Sequence, residues 1–148
     1  MELKARYVFP GPVDRVWDLL MDPKMISSCL PGCDAFEPIG DDRYRVVLNA
    51  GVAAVTGTFE GAVQITEKQP PVSYKLAVDG KGRPGFVKGG ATVTLTEDAA
   101  GVTIDVAATA QIGGLIAQVG QRLLGATARM MMDRFFNCLQ RQLPPPAS

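Results

Sequence analysis

Histidine is absent from all 148 residues. That absence removes Ser-His-Asp and Cys-His nucleophilic arrangements and any metal site held by imidazole. Net charge is missing too: 15 basic and 15 acidic side chains give a formal +0. A nucleic-acid binder relying on bulk attraction to phosphate is therefore not expected. No window approaches ~18 consecutive apolar residues, so no spanning helix is expected. The N-terminus alternates and carries Glu2, Lys4 and Arg6, unlike a secretory leader. Three cysteines without an export signal predict free, buried or idle thiols in a reducing cytoplasm. Cys29 and Cys33 are spaced C-x3-C with no second ligand pair, and Cys138 lies far along the chain, so no structural zinc is expected.

What is present suits one globular domain. Hydrophobic residues make up 47% of the chain and charged residues 20%, enough to bury a core in a domain of this length. The domain is placed at residues 1–143, with 144–148 as a short Pro-rich tail. Charge is unevenly distributed. Residues 1–113 carry 11 basic and 14 acidic side chains, whereas 114–148 carry Arg122, Arg129, Arg134 and Arg141 against Asp133 alone.

The hydrophobic pattern separates strands from helices. Leu3, Ala5, Tyr7 and Phe9 alternate with Lys4, Arg6 and Val8, the period of a half-buried strand. Pro10-Gly11-Pro12 breaks that strand. Val13, Val16, Trp17 and Leu20 then share one face of a short helix. Asp22-Pro23 caps a second short helix carrying Met25 and Ile26, which Pro31-Gly32 ends. From Arg43 to Ile112 the alternation is almost unbroken, with turn signals at Gly51, Pro70-Pro71, Gly80–Gly85 and Asp98–Gly101. Such a succession predicts an antiparallel meander, apolar inside and polar outside. The fold class expected is α+β: a curved antiparallel sheet of about seven strands wrapped around a long C-terminal helix, with two short helices after the first strand.

Two features of the inner face bear on function. Gly57, Gly61, Gly89, Ala91, Ala108 and Ala110 are small where a packed core favours Val, Ile or Leu. Small inward residues either let a sheet bend sharply or leave volume unfilled, and unfilled volume is ligand space. The helix expected from Gly113-Gly114 to Leu143 also changes its apolar face. Ile116, Val119, Leu123, Thr127 and Met130 form one stripe, but Met132, Phe135, Phe136, Leu139 and Leu143 lie roughly 100–200° away. The helix must kink, with Gly120 and Gly125 as weak points, or bury different faces in its two halves.

A cavity is therefore expected between sheet and helix. From the sheet, Leu48, Phe59, Tyr74, Leu76, Phe86, Val93, Val106 and Ala108 are the expected lining. Met25 and Leu30 are added from the short helices, and Val119, Leu123 and Met130 from the long one. Arg122 and Arg129, seven residues apart, are candidates for contact with a polar head group. Catalytic candidates are lacking. Asp41-Asp42 reads as a hairpin turn, and Glu60 and Asp105 fall on the polar faces of their strands. Gly80-Lys81-Gly82-Arg83-Pro84-Gly85 lacks the Lys-Ser/Thr ending of a phosphate loop and is expected to be a flexible loop at the cavity mouth.

Several of these residues together resemble a known family. Val16-Trp17 with Leu20 and Asp22-Pro23, then Leu30-Pro31-Gly32-Cys33, are similar to the carbon monoxide dehydrogenase G-subunit family. So are Gly57-Thr58-Phe59-Glu60-Gly61, Gly82-x-Pro-Gly85 followed by Lys88-Gly89, and Gly120-Gln121-Arg122-Leu123 before Phe135-Phe136. The resemblance spans about residues 1–143 and implies the helix-grip fold of the START/Bet v 1-like (polyketide cyclase-like, SRPBCC) superfamily.

It further implies a protein that assists a molybdenum hydroxylase of the carbon monoxide dehydrogenase type at the membrane, holding a quinone or lipid-like molecule. No catalytic residues, metal or intrinsic cofactor come with it. The leading expectation is thus a non-catalytic carrier, cytoplasmic and peripheral at the inner face of the membrane, where a basic helix gives at most reversible attraction to anionic lipid. The alternatives are a polyketide cyclase-like enzyme using the same cavity, or a pure assembly module in which the cavity is incidental.

Overall fold

The computed structural model describes residues 1–143. The Pro144-Pro145-Pro146 stop and the short tail read from the sequence lie outside the described residues. Strand β1 (Glu2–Phe9) is followed by helices α1 (Val13–Met21) and α2 (Pro23–Cys29). Strands β2 (Cys33–Gly40), β3 (Arg43–Val52), β4 (Val55–Gln69), β5 (Ser73–Gly82), β6 (Gly85–Asp98) and β7 (Gly101–Gly113) come next. A short 3-10 turn, Leu115–Val119, then leads into the C-terminal helix α3 (Gln121–Arg141). The sheet is antiparallel with the order β1-β7-β6-β5-β4-β3-β2. Because β1 and β2 occupy opposite edges, α1 and α2 must carry the chain across the width of the sheet.

Local chemistry explains the elements. Pro12 starts α1, and the backbone N–H of Val13 is taken by the Glu97 carboxylate from the end of β6. Asp22 caps α2 by accepting from the Lys24 N–H at 2.9 Å, with Pro23 at the first helical position. The Asp41-Asp42 turn closes the β2–β3 hairpin, with Asp42 at φ 54°. Strand β2 itself shows no clean alternation in sequence. Pro38 and two register shifts disrupt its pairing with β3, as suits an edge strand.

The core divides into two clusters. The larger packs Val16, Trp17 and Leu20 of α1 with Phe9, Tyr74, Val93, Ile104 and their neighbours on the sheet, and with Phe136 and Leu139 of α3. Full burial of each such side chain contributes about 1.5–3 kcal/mol. The smaller, at the other end of the sheet, joins Val52, Phe59, Ile116 and Leu124.

Three expectations need correction. The single helix of roughly 28 residues is two elements. Gly120, at φ +93°, breaks the chain between the 3-10 turn and α3, so the helical phase starts afresh at Gln121. From there one stripe suffices: Leu124, Phe136 and Leu139 are buried, and Met131, Met132 and Phe135 lie along it. The Gly80–Gly85 segment is not a flexible loop. β5 runs through Gly82, β6 starts at Gly85, and Pro84 at the hairpin tip is fully buried. A Cβ on Gly82 would strike the Thr58 carbonyl oxygen, so this glycine serves close strand packing.

Nor are the cysteines three separate thiols. Cys29 of α2 and Cys138 of α3 form a disulfide across 109 positions, with a Cα–Cα distance of 5.4 Å. Sequence spacing could not reveal this pair, because only tertiary packing brings α2 against α3. Cys33 remains free, and burial raises its thiol pKa, which disfavours the reactive thiolate.

Candidate functional site

Between the two clusters the inner face of the sheet is left partly uncovered. Val46 and Leu48 of β3, Gly61 and Val63 of β4, Val78 and Gly80 of β5, Gly89 of β6 and Ala108 and Ala110 of β7 are all half-buried. None belongs to either cluster. They are neighbours across the sheet: Val46 faces Gly61, which faces Gly80, while Val63, Val78, Gly89 and Ala110 form the adjoining row.

The small residues in this strip do two different jobs. A Cβ at Gly61 would run into the Asp79 carbonyl, and one at Gly89 into the Thr109 carbonyl, so these glycines permit a close approach of neighbouring strands. A Cβ at Gly80 would meet only the Glu60 carbonyl oxygen, at 3.9 Å, and one at Gly125 on α3 would meet nothing within 4 Å. Close strand approach and open space are therefore both present, at different glycines.

Of the lining expected from sequence, Leu48 and Ala108 lie in the strip, and Leu76 borders it while packing on the larger cluster. Tyr74, Val93 and Val106 are buried in the larger cluster, with Met25 against it. Phe59 is buried in the smaller cluster and Val119 packs on it. Leu30 is half-buried where α2 ends.

Three placements are corrected. Phe86, Leu123 and Met130 are 44%, 48% and 43% exposed. Phe86 alternates with inward Val87 and so faces outward, its ring over Gly113. Phasing from Ile116 points Leu123 and Met130 inward; the break at Gly120 turns them outward and brings Leu124 in. The Gly120-Gln121 step was the available signal for that change.

The polar groups sit around this strip rather than in it. Among the described residues no polar or charged residue is fully buried. Arg122 and Arg129 flank α3, and Arg129 Nη2 donates to the Lys4 carbonyl at 2.7 Å, holding it at the β1 edge. Tyr7 Oη donates to Asp133 Oδ1 at 2.6 Å, and burial together with that carboxylate raises the phenol pKa well above its usual value. Glu60 and Asp105 are surface carboxylates, paired with Arg45 at 2.8 Å and Arg6 at 2.7 Å.

Two open depressions of about 590 and 540 Å³ lie away from the strip's centre. The smaller crosses the outer faces of β1, β7 and β6. The larger forms where β1 stops short of β7: it is bounded by Met1, Lys88, Ala110, Ile112 and Gln121, beside the start of α3.

An antiparallel sheet holding a C-terminal helix, with two short helices after the first strand, defines a helix-grip protein of the START/Bet v 1-like class. The chain belongs to the carbon monoxide dehydrogenase G-subunit (CoxG) family, whose sequence profile matches residues 10–144. The crystal structure of a conserved protein from Geobacillus kaustophilus is similar, with 36% identity and a TM-score of 0.91 over 96% of this chain and 94% of that chain. A protein from Chromobacterium violaceum shares the fold at 14% identity, with a TM-score of 0.72 over 97% of this chain and 98% of that one. One from Thermus thermophilus does so at 12% identity, with a TM-score of 0.69 over 95% of each chain. No curated protein matches the chain significantly.

Proposed function

We propose that this protein is a non-catalytic carrier that holds an apolar molecule of quinone or lipid type against the inner face of its sheet and serves a carbon monoxide dehydrogenase-type molybdenum hydroxylase. One observation carries the ligand: the apolar strip of Val46, Leu48, Val63, Val78 and Ala108 is only half-buried between two packed clusters, with open space before Gly80 and Gly125. Apolar surface left uncovered inside a fold is what a ligand would cover. Family membership supports the enzyme partner.

No helix of the described residues is long and apolar enough to cross a membrane. In this proposal the protein works at the cytoplasmic face of the membrane by transient contact.

Native mass spectrometry, with organic extraction of the released material, tests the carrier. A co-purifying quinone or lipid, or uptake of added quinone, is expected. Ala108→Phe should fold normally and lose that loading, whereas a folded variant with full loading would exclude the strip as the site. An interaction module is the second reading. It is favoured by Leu123 and Met130 exposed on α3 beside Arg134 and Arg141, and an empty protein that still binds the hydroxylase would select it.

A further inference from the structure

The two ends of the sheet differ in charge. At one end the β3–β4 turn, the β5–β6 hairpin tip, the end of β7, the 3-10 turn and the start of α3 come together. Val52, Phe59, Ile116 and Leu124 pack beneath them, and the Ile116 N–H donates to the Pro84 carbonyl at 2.8 Å. The segments that build this end hold no acid. Residues 46–59 are uncharged, 80–96 carry Lys81, Arg83 and Lys88, and 106–132 carry Arg122 and Arg129. Acids stand at its border: Glu60 opposite Lys81 but bound to Arg45 at 2.8 Å, Asp79 opposite Lys88, and Glu2 beside the same depression as Lys88. Lys81, Arg83 and Arg122 are exposed, and the ion pairs among the described residues use Arg6, Arg45, Lys68 and Lys75 instead. The opposite end is acidic, with Asp41-Asp42, Glu67 and Glu97-Asp98 at or beside its hairpin turns against Arg43 and Lys68.

The basic end also exposes apolar side chains. Phe86 and Leu115 are 44% and 54% exposed. Phe86 pairs with Gly113, two residues before Leu115, and its ring lies over that glycine. Ala53 and Ala54 are exposed at the β3–β4 turn of the same end.

We propose that this end docks on an anionic lipid surface, with Phe86 and Leu115 entering the headgroup region while Lys81, Arg83 and Arg122 meet lipid phosphates. This rests on the membrane contact in the carrier reading and names the surface that makes it. Apolar tips set among basic residues suit a lipid interface, which rewards both. An acidic protein surface fits less well, because protein interfaces are depleted of lysine around a contiguous apolar centre. The acidic end, repelled by the same lipid, orients the molecule with its basic end down.

Co-sedimentation of the full chain with vesicles of phosphatidylcholine containing about 30% phosphatidylglycerol tests the docking. Binding at about 50 mM salt should be at least about 10-fold tighter than to phosphatidylcholine alone, and should be mostly lost at about 500 mM. Arg83→Gln and Arg122→Gln should each weaken it about 5-fold, the share of one basic side chain. Phe86→Ser combined with Leu115→Ser should weaken it about 10-fold through lost apolar burial. Thermal melts should show these variants folded, since all of the sites are exposed. Arg134→Gln with Arg141→Gln, in the far half of α3, should bind like the wild type. Equal binding to both kinds of vesicle, or to neither, would overturn the docking. So would wild-type binding by the Arg83 and Phe86/Leu115 variants, or loss of binding by the Arg134/Arg141 variant. Loss of hydroxylase binding without any vesicle binding would assign this end to a protein partner instead. Those results leave the carrier standing if added quinone is still taken up. Vesicle binding without quinone uptake would overturn the carrier and keep this surface.

Discussion

Tyr7 and Asp133 stand 126 positions apart in the chain and are joined by a 2.6 Å hydrogen bond from phenol to carboxylate. The bond ties edge strand β1 to the middle of α3. The Tyr7 ring also stacks on Phe136, one turn further along the helix, at a centroid distance of 4.3 Å. With Arg129 holding the Lys4 carbonyl, these contacts fix how the second half of α3 lies against the sheet.

Tyr7→Phe keeps the stacked ring and removes the donor, leaving Asp133 half-buried without it. We expect a loss of about 1–2 kcal/mol, as for a hydrogen bond to a partly buried charged group. Urea unfolding of the two proteins at neutral pH checks this. An unchanged midpoint would show that solvent replaces the phenol without cost.

Alkaline pH should weaken the fold through the same residue and through Tyr74. Both phenols have pKa values raised in the folded state, Tyr7 by burial and Asp133, Tyr74 by burial. In the unfolded chain they ionise near ~10. Their contribution is thus complete below pH ~10 and is lost as pH rises through the higher folded values. Stability measured at about pH 8, 10 and 11 should fall across that range. The fall should be shallower in Tyr7→Phe, and an identical slope would remove Tyr7 from the account.

Two glycines of the strip should respond oppositely to one added methyl group. Gly61→Ala places a Cβ against the Asp79 carbonyl and the Gly80 backbone, which cannot yield without parting β4 from β5. A cost above about 2 kcal/mol is expected, as for overpacking at a rigid contact. Gly80→Ala meets only open space and should stay within about 0.5 kcal/mol. Equal costs in thermal melts would mean that Gly80 is as tightly packed as Gly61.

Joining Cys29 to Cys138 closes a long loop, with a separation of 109 positions. Constraint of the unfolded chain by such a loop stabilises by about 2–4 kcal/mol. Cys138→Ser, or reduction with a dithiol, should lower stability by that amount. Intact mass after alkylation should show Cys33 alone modified before reduction, and Cys29 and Cys138 as well after it. Modification of all of them without reduction would show that the two sulfurs meet as thiols.

Much of this was legible in the chain. Alternation at Tyr7, Phe59, Tyr74, Val93 and Val106 gives strand positions and inward faces, because a strand's period of two is set by local geometry alone. The face of α1 follows in the same way from Val16, Trp17 and Leu20. Strand β2 is hidden by Pro38 and its register shifts. The helix phase is the part that misleads, because a single residue, Gly120, resets it and turns Leu124 inward in place of Leu123.

The amino-acid sequence by itself determined the meander, the two short helices, the missing imidazole chemistry and the family, since each depends on residue identity and near-neighbour spacing. Tertiary structure alone decided which apolar side chains were consumed in packing and which were left uncovered. It also decided that Cys29 meets Cys138, that Gly61 lets β4 and β5 approach closely while Gly80 leaves room, and that Trp17 meets Tyr74 edge to face. Those outcomes depend on distances between residues far apart in the chain, and a curved, twisted sheet sets such distances only when all of its strands are in place.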